Sequence, residues 1–280
     1  MTYATVLLHL DAHPRMNERI DYAARLARRF ESHLVGVAAA GHSLFGMSVS
    51  TGFSGTDSLA AAIESAHVAE IQRSRDFLER VRTSALTSFA TVVEDLDDLD
   101  ALTRRSACAD LLIVGQADPG WPNGARARHL LDQIVQQSMA PVLVIPHAGD
   151  FPSVGSHILI AWDGSRGAAR AVVGAMPLLQ RADKVGLIRC APPAELDRGG
   201  EAAELDLPRE WLARHGVRID ARIEATTVGV GDTLLSRAAD RGADMLVMGA
   251  WGQARWAERL LGGATRTILS SMTLPVLMSH

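Results

Sequence analysis

Ala109-Asp110-Leu111-Leu112-Ile113-Val114-Gly115 returns later in the chain as Ala243-Asp244-Met245-Leu246-Val247-Met248-Gly249. From each glycine the same 26 residues lead to a proline, Gly115 to Pro141 and Gly249 to Pro275. Each proline opens a short apolar run, Val142-Leu143-Val144-Ile145 and Val276-Leu277-Met278. Upstream, Thr5-Val6-Leu7-Leu8-His9-Leu10-Asp11 is matched by His157-Ile158-Leu159-Ile160-Ala161-Trp162-Asp163, and both runs end in aspartate before an Ala/Arg-rich stretch. A register that recurs without a gap marks a tandem repeat. In each copy, continuous apolar runs alternate with helical patterns. Strands of that kind are covered by helices on both faces, as in a parallel sheet. The expected fold is therefore α/β and doubly wound, with two tandem five-stranded domains.

The expected strands of the first copy lie near 4–10, 33–39, 88–94, 110–114 and 142–145, and its helices near 15–30, 57–84, 97–108 and 125–139. The second copy places strands near 157–162, 184–190, 218–224, 244–248 and 275–278, and helices near 166–180, 201–215, 231–241 and 255–272. Pro146-His147-Ala148-Gly149-Asp150-Phe151-Pro152-Ser153 breaks both patterns. The domains are accordingly expected at 1–148 and 154–280. The first is the longer, by its second helix and by a Gly- and Ser-rich loop, 41–56, read as a surface loop, with a lid or partner contact as the alternative.

Composition narrows the function. A net charge of −4, from 28 basic and 32 acidic residues, lacks the basic footprint of a duplex-DNA binder. Two cysteines cannot build a disulfide framework, and no apolar stretch approaches the roughly 20 residues of a membrane span. The expectation is a cytoplasmic protein without nucleic-acid or membrane partners. Lys184 is the sole lysine and stands in Ala182-Asp183-Lys184-Val185, so no Walker A loop exists. Phosphate binding, if present, rests on backbone N–H groups, hydroxyls and arginine.

In an open parallel sheet, ligands bind beyond the carboxyl ends of the strands. Those positions hold Asp163-Gly164-Ser165 and a longer run from Gly249 through Gly252 to Gly262-Gly263-Ala264-Thr265, spaced Gly-x2-Gly-x9-Gly-Gly. Glycine lets the backbone approach an anion, and a helix opening at Ala264 would present free N–H groups to one. An aspartate after the first strand can accept hydrogen bonds from a ribose or a base.

These motifs resemble those of the universal stress protein family: the strand ending in Asp163-Gly164-Ser165, the Ala243-Asp244 strand ending in Gly249, the glycine spacing, and the closing Leu274-Pro275-Val276-Leu277 strand. The resemblance covers both halves and implies a tandem member, each half an adenine-nucleotide alpha-hydrolase-like sandwich on a five-stranded parallel sheet. It implies an ATP or other adenine-nucleotide ligand held without a Walker A loop. Asp163 would contact the adenosine portion, Gly249 and Gly252 the ribose and phosphates, and Gly262 and Gly263 the phosphates. It also implies association through the last strands, as a homodimer or as an internal pseudo-dimer of 142–145 with 275–278. The family pattern ends in Gly followed by Ser or Thr, whereas here that position is Gly263. Thr265 or Arg255 is the expected substitute for the missing hydroxyl. The function so implied is that of a stress-response sensor or adaptor. The alternative is an interaction scaffold that binds no nucleotide.

The first half departs further. Gapless alignment puts Asp118 at the Gly252 position, Arg128 at Gly262 and His129 at Gly263, leaving only Gly115 and Asp11 in place. A carboxylate there would repel phosphate, so the first half is expected to have lost nucleotide binding. No metal site is expected from the ten scattered histidines, and no Gly-x-Ser-x-Gly elbow or other catalytic constellation is visible, which leaves at most slow hydrolysis. Both cysteines are read as buried thiols on apolar elements. The acidic run from Glu94 to Asp100 is read as a helix start, Gly229-Val230-Gly231-Asp232 as a strand-to-helix turn, and Trp251 and Trp256 as cover for helix and sheet or as stacking partners for a base.

Overall fold

The computed structural model describes residues 2–41, 56–193, 202–251 and 263–280, with side chains from 64 and 205 in the two helices that begin at 56 and 202. The chain divides into two compact units. One comprises Tyr3–Val114 and Asp132–Ala140; the other comprises Met1–Thr2, Gly115–Leu131 and Pro141–His280.

The first unit is built on β1 (Thr5–His9), β2 (His33–Ala39), β3 (Phe89–Glu94) and β4 (Leu111–Gly115). They are parallel and ordered β3-β2-β1-β4. Helices α1 (Met16–Phe30), α2 (Thr56–Arg82) and α3 (Asp98–Ser106) connect them. The apolar runs form strands because both faces are covered: Val6, Leu8, Leu34, Leu111, Leu112 and Ile113 are fully buried. Helix α1 ends where Glu31 adopts φ 57° and its N–H reaches back to Ala27 and Arg28. The acidic run does start a helix, with the Asp97 carboxylate accepting the Asp100 amide at 2.9 Å.

The second unit takes in the C-terminal copy. Its strands are β6 (His157–Ala161), β7 (Lys184–Ala191), β8 (Asp220–Ala225), β9 (Met245–Gly249) and β10 (Val276–Ser279). They are parallel and ordered β10-β9-β6-β7-β8. Helices α5 (Arg166–Leu179), α6 (Ala202–Arg214), α7 (Val230–Asp240) and α8 (Ala264–Ser271) join them; α4 (Gly124–Gln137) begins in this unit and ends in the other. The strand β5 (Val142–Ile145) also belongs here, because it pairs antiparallel with β10, Val144 opposite Val276 and Leu143 opposite Leu277. The expected pairing of 142–145 with 275–278 is thus a hydrogen-bonded ladder within the chain.

The α/β class and the parallel sheets are as the repeat implies. The helix expected over 255–272 is described only as Ala264–Ser271, since 252–262 lie outside the described residues, as do 42–55 of the expected loop. The reading of buried thiols is corrected. Cys108 is exposed and Cys190 half-buried, because Cys108 falls in the turn beyond α3, where its N–H meets Arg105 O at 3.1 Å, and not on the strand that follows.

The repeated Ala-Asp pair has a mechanical role. Asp244 accepts the amides of Ser156 and His157, each at 2.9 Å, and its own N–H donates to His157 O at 2.9 Å. Asp110 does the same for the amides of Ala4 and Thr5, both at 2.8 Å. One carboxylate before β4 or β9 therefore fixes the start of β1 or β6 beside it. Asp244→Ala is expected to lower unfolding free energy by about 2 kcal/mol, the loss of charge-assisted bonds to two amides, in denaturant titration, with Asp244→Asn intermediate.

Candidate functional site

In the second unit the chain leaves β6 to form β7 on one side and returns to β9 on the other. The switch point lies between β6 and β9, and the carboxyl ends of those strands carry Asp163 and Gly249. Asp163 is exposed, and its Oδ1 accepts the Ser165 amide at 2.9 Å. Gly164 turns the chain at φ +71° with open space where a side chain would stand. Ser165 caps α5, its Oγ accepting the Ala168 amide at 3.1 Å. Among the described residues Asp163 forms no ion pair, and it stands exposed at the switch point.

Gly249 has a different reason for being glycine. A Cβ there would lie 2.4 Å from Ala168 N and 2.7 Å from Gly167 C, inside the backbone of α5. Close packing of α5 on β9 thus accounts for Gly249 and sets Asp163 beside it. The following residues form a tight turn. Ala250 N–H donates to Ser279 O at 2.9 Å, and Trp251 sits at φ 52°, rare for a bulky residue.

Gly263 precedes α8 with no side-chain cap, and the first helical bonds run from Arg266 N to Gly263 O at 2.8 Å and Thr267 N to Gly263 O at 3.4 Å. The amides of Ala264 and Thr265 therefore open the helix, the arrangement that suits an anion. Thr265 is buried, and its Oγ1 accepts the Trp251 amide at 3.0 Å. It joins the two glycine turns to each other. Asp163, Gly249, Gly263 and Thr265 lie within the one unit; Gly252, Arg255, Trp256 and Gly262 are outside the described residues. The exposed carboxylate, the open Gly164 turn and the uncapped α8 amides fit the sugar and phosphates of a nucleotide. Residue reasoning missed His280, whose Nδ1 donates to Ala250 O at 3.0 Å.

The equivalent place in the first unit is filled by the protein itself. Aligning Asp11 with Asp163 sets His9 against Ala161 and Arg19 against Ala171. Arg19, 6% exposed at its side chain, donates to Asp11 Oδ2 at 2.7 Å, while Asp11 Oδ1 accepts the His13 amide at 3.0 Å. His9 Nε2 meets Asp98 Oδ1 at 3.1 Å, and Arg73 is paired to Glu70 on α2. Burial alone would raise the Asp11 carboxyl, but Arg19 and His9 hold it below the usual aspartate range. Burial pushes the Arg73 guanidinium down, against the pull of Asp11 and Asp98. Asp11 has become a structural counter-ion where Asp163 is open.

The loop after β4 is also closed on itself. Asp118 Oδ1 accepts the Gly120 amide at 2.7 Å, and a side chain at Gly124 would strike Asp118 O at 2.2 Å. Among the described residues no group of three or more metal-ligating side chains is present, and no helix is long and apolar enough to cross a membrane.

Asp11→Asn leaves Arg19 buried beside a neutral partner and is expected to cost about 3 kcal/mol, whereas Asp163→Asn changes stability by less than about 0.5 kcal/mol. Because the Asp11 carboxyl is depressed in the folded state, its contribution is complete above the ordinary aspartate value near ~4 and disappears as pH falls below it. Melting temperatures measured across that range should converge for wild type and Asp11→Asn on the acid side.

Comparison with known proteins agrees with this architecture. Residues 156–280 match the model of the universal stress protein family. No curated protein matches the chain. Among solved structures, a universal stress protein from Archaeoglobus fulgidus DSM 4304 superposes with a TM-score of 0.74 at 14% identity, over 98% of this chain and 94% of that one. A functionally unknown protein from Pseudomonas aeruginosa PAO1 gives 0.58 at 16% identity, over 98% of this chain and 92% of that one. Residues 156–280 thus carry a domain of the universal stress protein family.

Proposed function

We propose that this chain is a stress-response sensor or adaptor that binds one adenine nucleotide, ATP in the first instance, in its C-terminal domain, residues 154–280. The N-terminal domain, residues 1–148, is in this reading a degenerate copy that holds no nucleotide. The observation that carries the proposal is the contrast between the two aspartates. Asp163 stands exposed beside an open glycine turn, and Asp11, its counterpart, is tied to the buried Arg19 at 2.7 Å.

In the proposed complex Asp163 accepts hydrogen bonds from the adenosine portion. The turn after β9, with Gly249 and Gly252, lies along the ribose and phosphates. Gly262, Gly263 and the opening amides of α8 take the phosphates, with Arg255 as the available cation. Thr265 accepts the Trp251 amide at 3.0 Å and so holds the turn, and its hydroxyl hydrogen can still donate to phosphate. Backbone amides at a helix start supply what a Walker lysine supplies elsewhere, in keeping with a chain whose one lysine, Lys184, begins β7.

Isothermal titration of the full chain with ATP and magnesium is expected to give one site per chain. Asp163→Ala should weaken it by about tenfold, the loss of a charged hydrogen-bond acceptor. Gly252→Asp, which writes Asp118 of the first half into the second, should abolish binding while the circular dichroism spectrum is unchanged. Absence of heat with wild type, together with no shift in melting temperature, would favour the scaffold reading.

A further inference from the structure

The turn Gly249-Ala250-Trp251 is gripped from three directions. Ser279 O accepts the Ala250 amide at 2.9 Å. His280 Nδ1 donates to Ala250 O at 3.0 Å. Thr265 Oγ1 accepts the Trp251 amide at 3.0 Å. The backbone grip has an exact counterpart in the other copy, where the Gln116 amide donates to Ile145 O at 2.8 Å. The side-chain bonds differ: there Gln116 itself donates from Nε2 to Leu269 O and accepts the His147 amide at Oε1, both at 3.1 Å. In the gapless register Thr265 falls against Leu131 and His280 against Pro146, and neither of those can donate or accept through its side chain. The residue at the Trp251 position is Ala117, and it is not among the residues with positive φ.

The bonds from Thr265 and His280 converge on a turn whose bulky residue sits at φ 52°, a conformation that its counterpart Ala117 does not share. A left-handed residue persists only where its surroundings over-determine it. Thr265 is 6% exposed, so its hydroxyl makes the bond away from competing water.

The geometry points to Thr265 and His280 as positioning residues that hold the Gly249–Trp251 turn in its ligand-ready shape, so that nucleotide affinity depends on both although neither has to touch the ligand. The inference rests on the nucleotide reading above for its affinity consequence and on the hydrogen bonds alone for its effect on the turn. Preorganisation of this kind spares the ligand the cost of ordering the turn.

The test uses the full chain and two readouts. Amide hydrogen exchange at Trp251, followed by NMR without ligand, should quicken about tenfold in Thr265→Val, which keeps the shape but has no oxygen, and stay near wild type in Thr265→Ser. His280→Phe should quicken the same amide and His280→Asn, which retains a donor, should restore it. Titration with ATP and magnesium should then show affinity falling by about tenfold in Thr265→Val and His280→Phe and recovering in Thr265→Ser and His280→Asn. Unchanged Trp251 exchange in Thr265→Val would overturn the inference outright. Faster exchange with unaltered ATP affinity would overturn its functional half. Wild type that exchanges as described but binds no ATP would sink the nucleotide reading and leave the turn lock supported by exchange alone.

Discussion

The carboxylate of Asp244, holding the amides of Ser156 and His157 at 2.9 Å, is the contact on which the C-terminal unit depends. It ties the start of β6 to the start of β9 and sets their register, Ile158 against Met245 and Ala161 against Met248. With the amino ends fixed, the carboxyl ends arrive level, and Asp163 and Gly249 emerge side by side. The helix that follows Asp163 then packs so closely on β9 that Gly249 tolerates no side chain. Strand pairing, helix packing and the placing of the site all build on the strand ends that this clamp joins, and the repeat reproduces it at Asp110.

The two copies show how a shared scaffold diverges at its ligand face. Both keep the clamp, the apolar strands and the aspartate after the first strand. One copy replaces two alanine positions by His9 and Arg19, and the aspartate turns inward to become a counter-ion. Arg19 and Asp98 are then partnered within the protein, and the place where a ligand would stand is filled. The other copy keeps alanine at both positions, leaves Asp163 exposed, and holds the turn after β9 through Thr265 and His280. Internal satisfaction of charge in one copy and an open carboxylate in the other are alternative solutions to the same geometry.

Much of this was legible in the residues. The gapless register of Ala109–Gly115 with Ala243–Gly249 implied two α/β copies, and the acidic run Glu94–Asp100 announced a helix start. Asp163 and Gly263 were visible as a post-strand aspartate and a pre-helix glycine. The internal counter-ions were not, because Arg19 looks like any other residue of an Arg-rich helix until it is set against Ala171. Thr265 was read as a hydroxyl for phosphate, and its bond to the Trp251 amide depends on a backbone turn that no residue pattern encodes. His280 sits at a strand end with no motif around it. The buried reading of Cys108 failed for a similar reason: apolar neighbours do not reveal that the chain is turning.

The central claim is that the copies differ in ligand access, open in one and self-filled in the other. Hydrogen–deuterium exchange of the full chain with and without ATP and magnesium tests it most directly. Protection confined to peptides carrying Asp163–Ser165, Gly249–Trp251 and Gly263–Thr265, with none around Asp11–Arg19, is the predicted result. Protection around Asp11–Arg19, or no change anywhere, would contradict it.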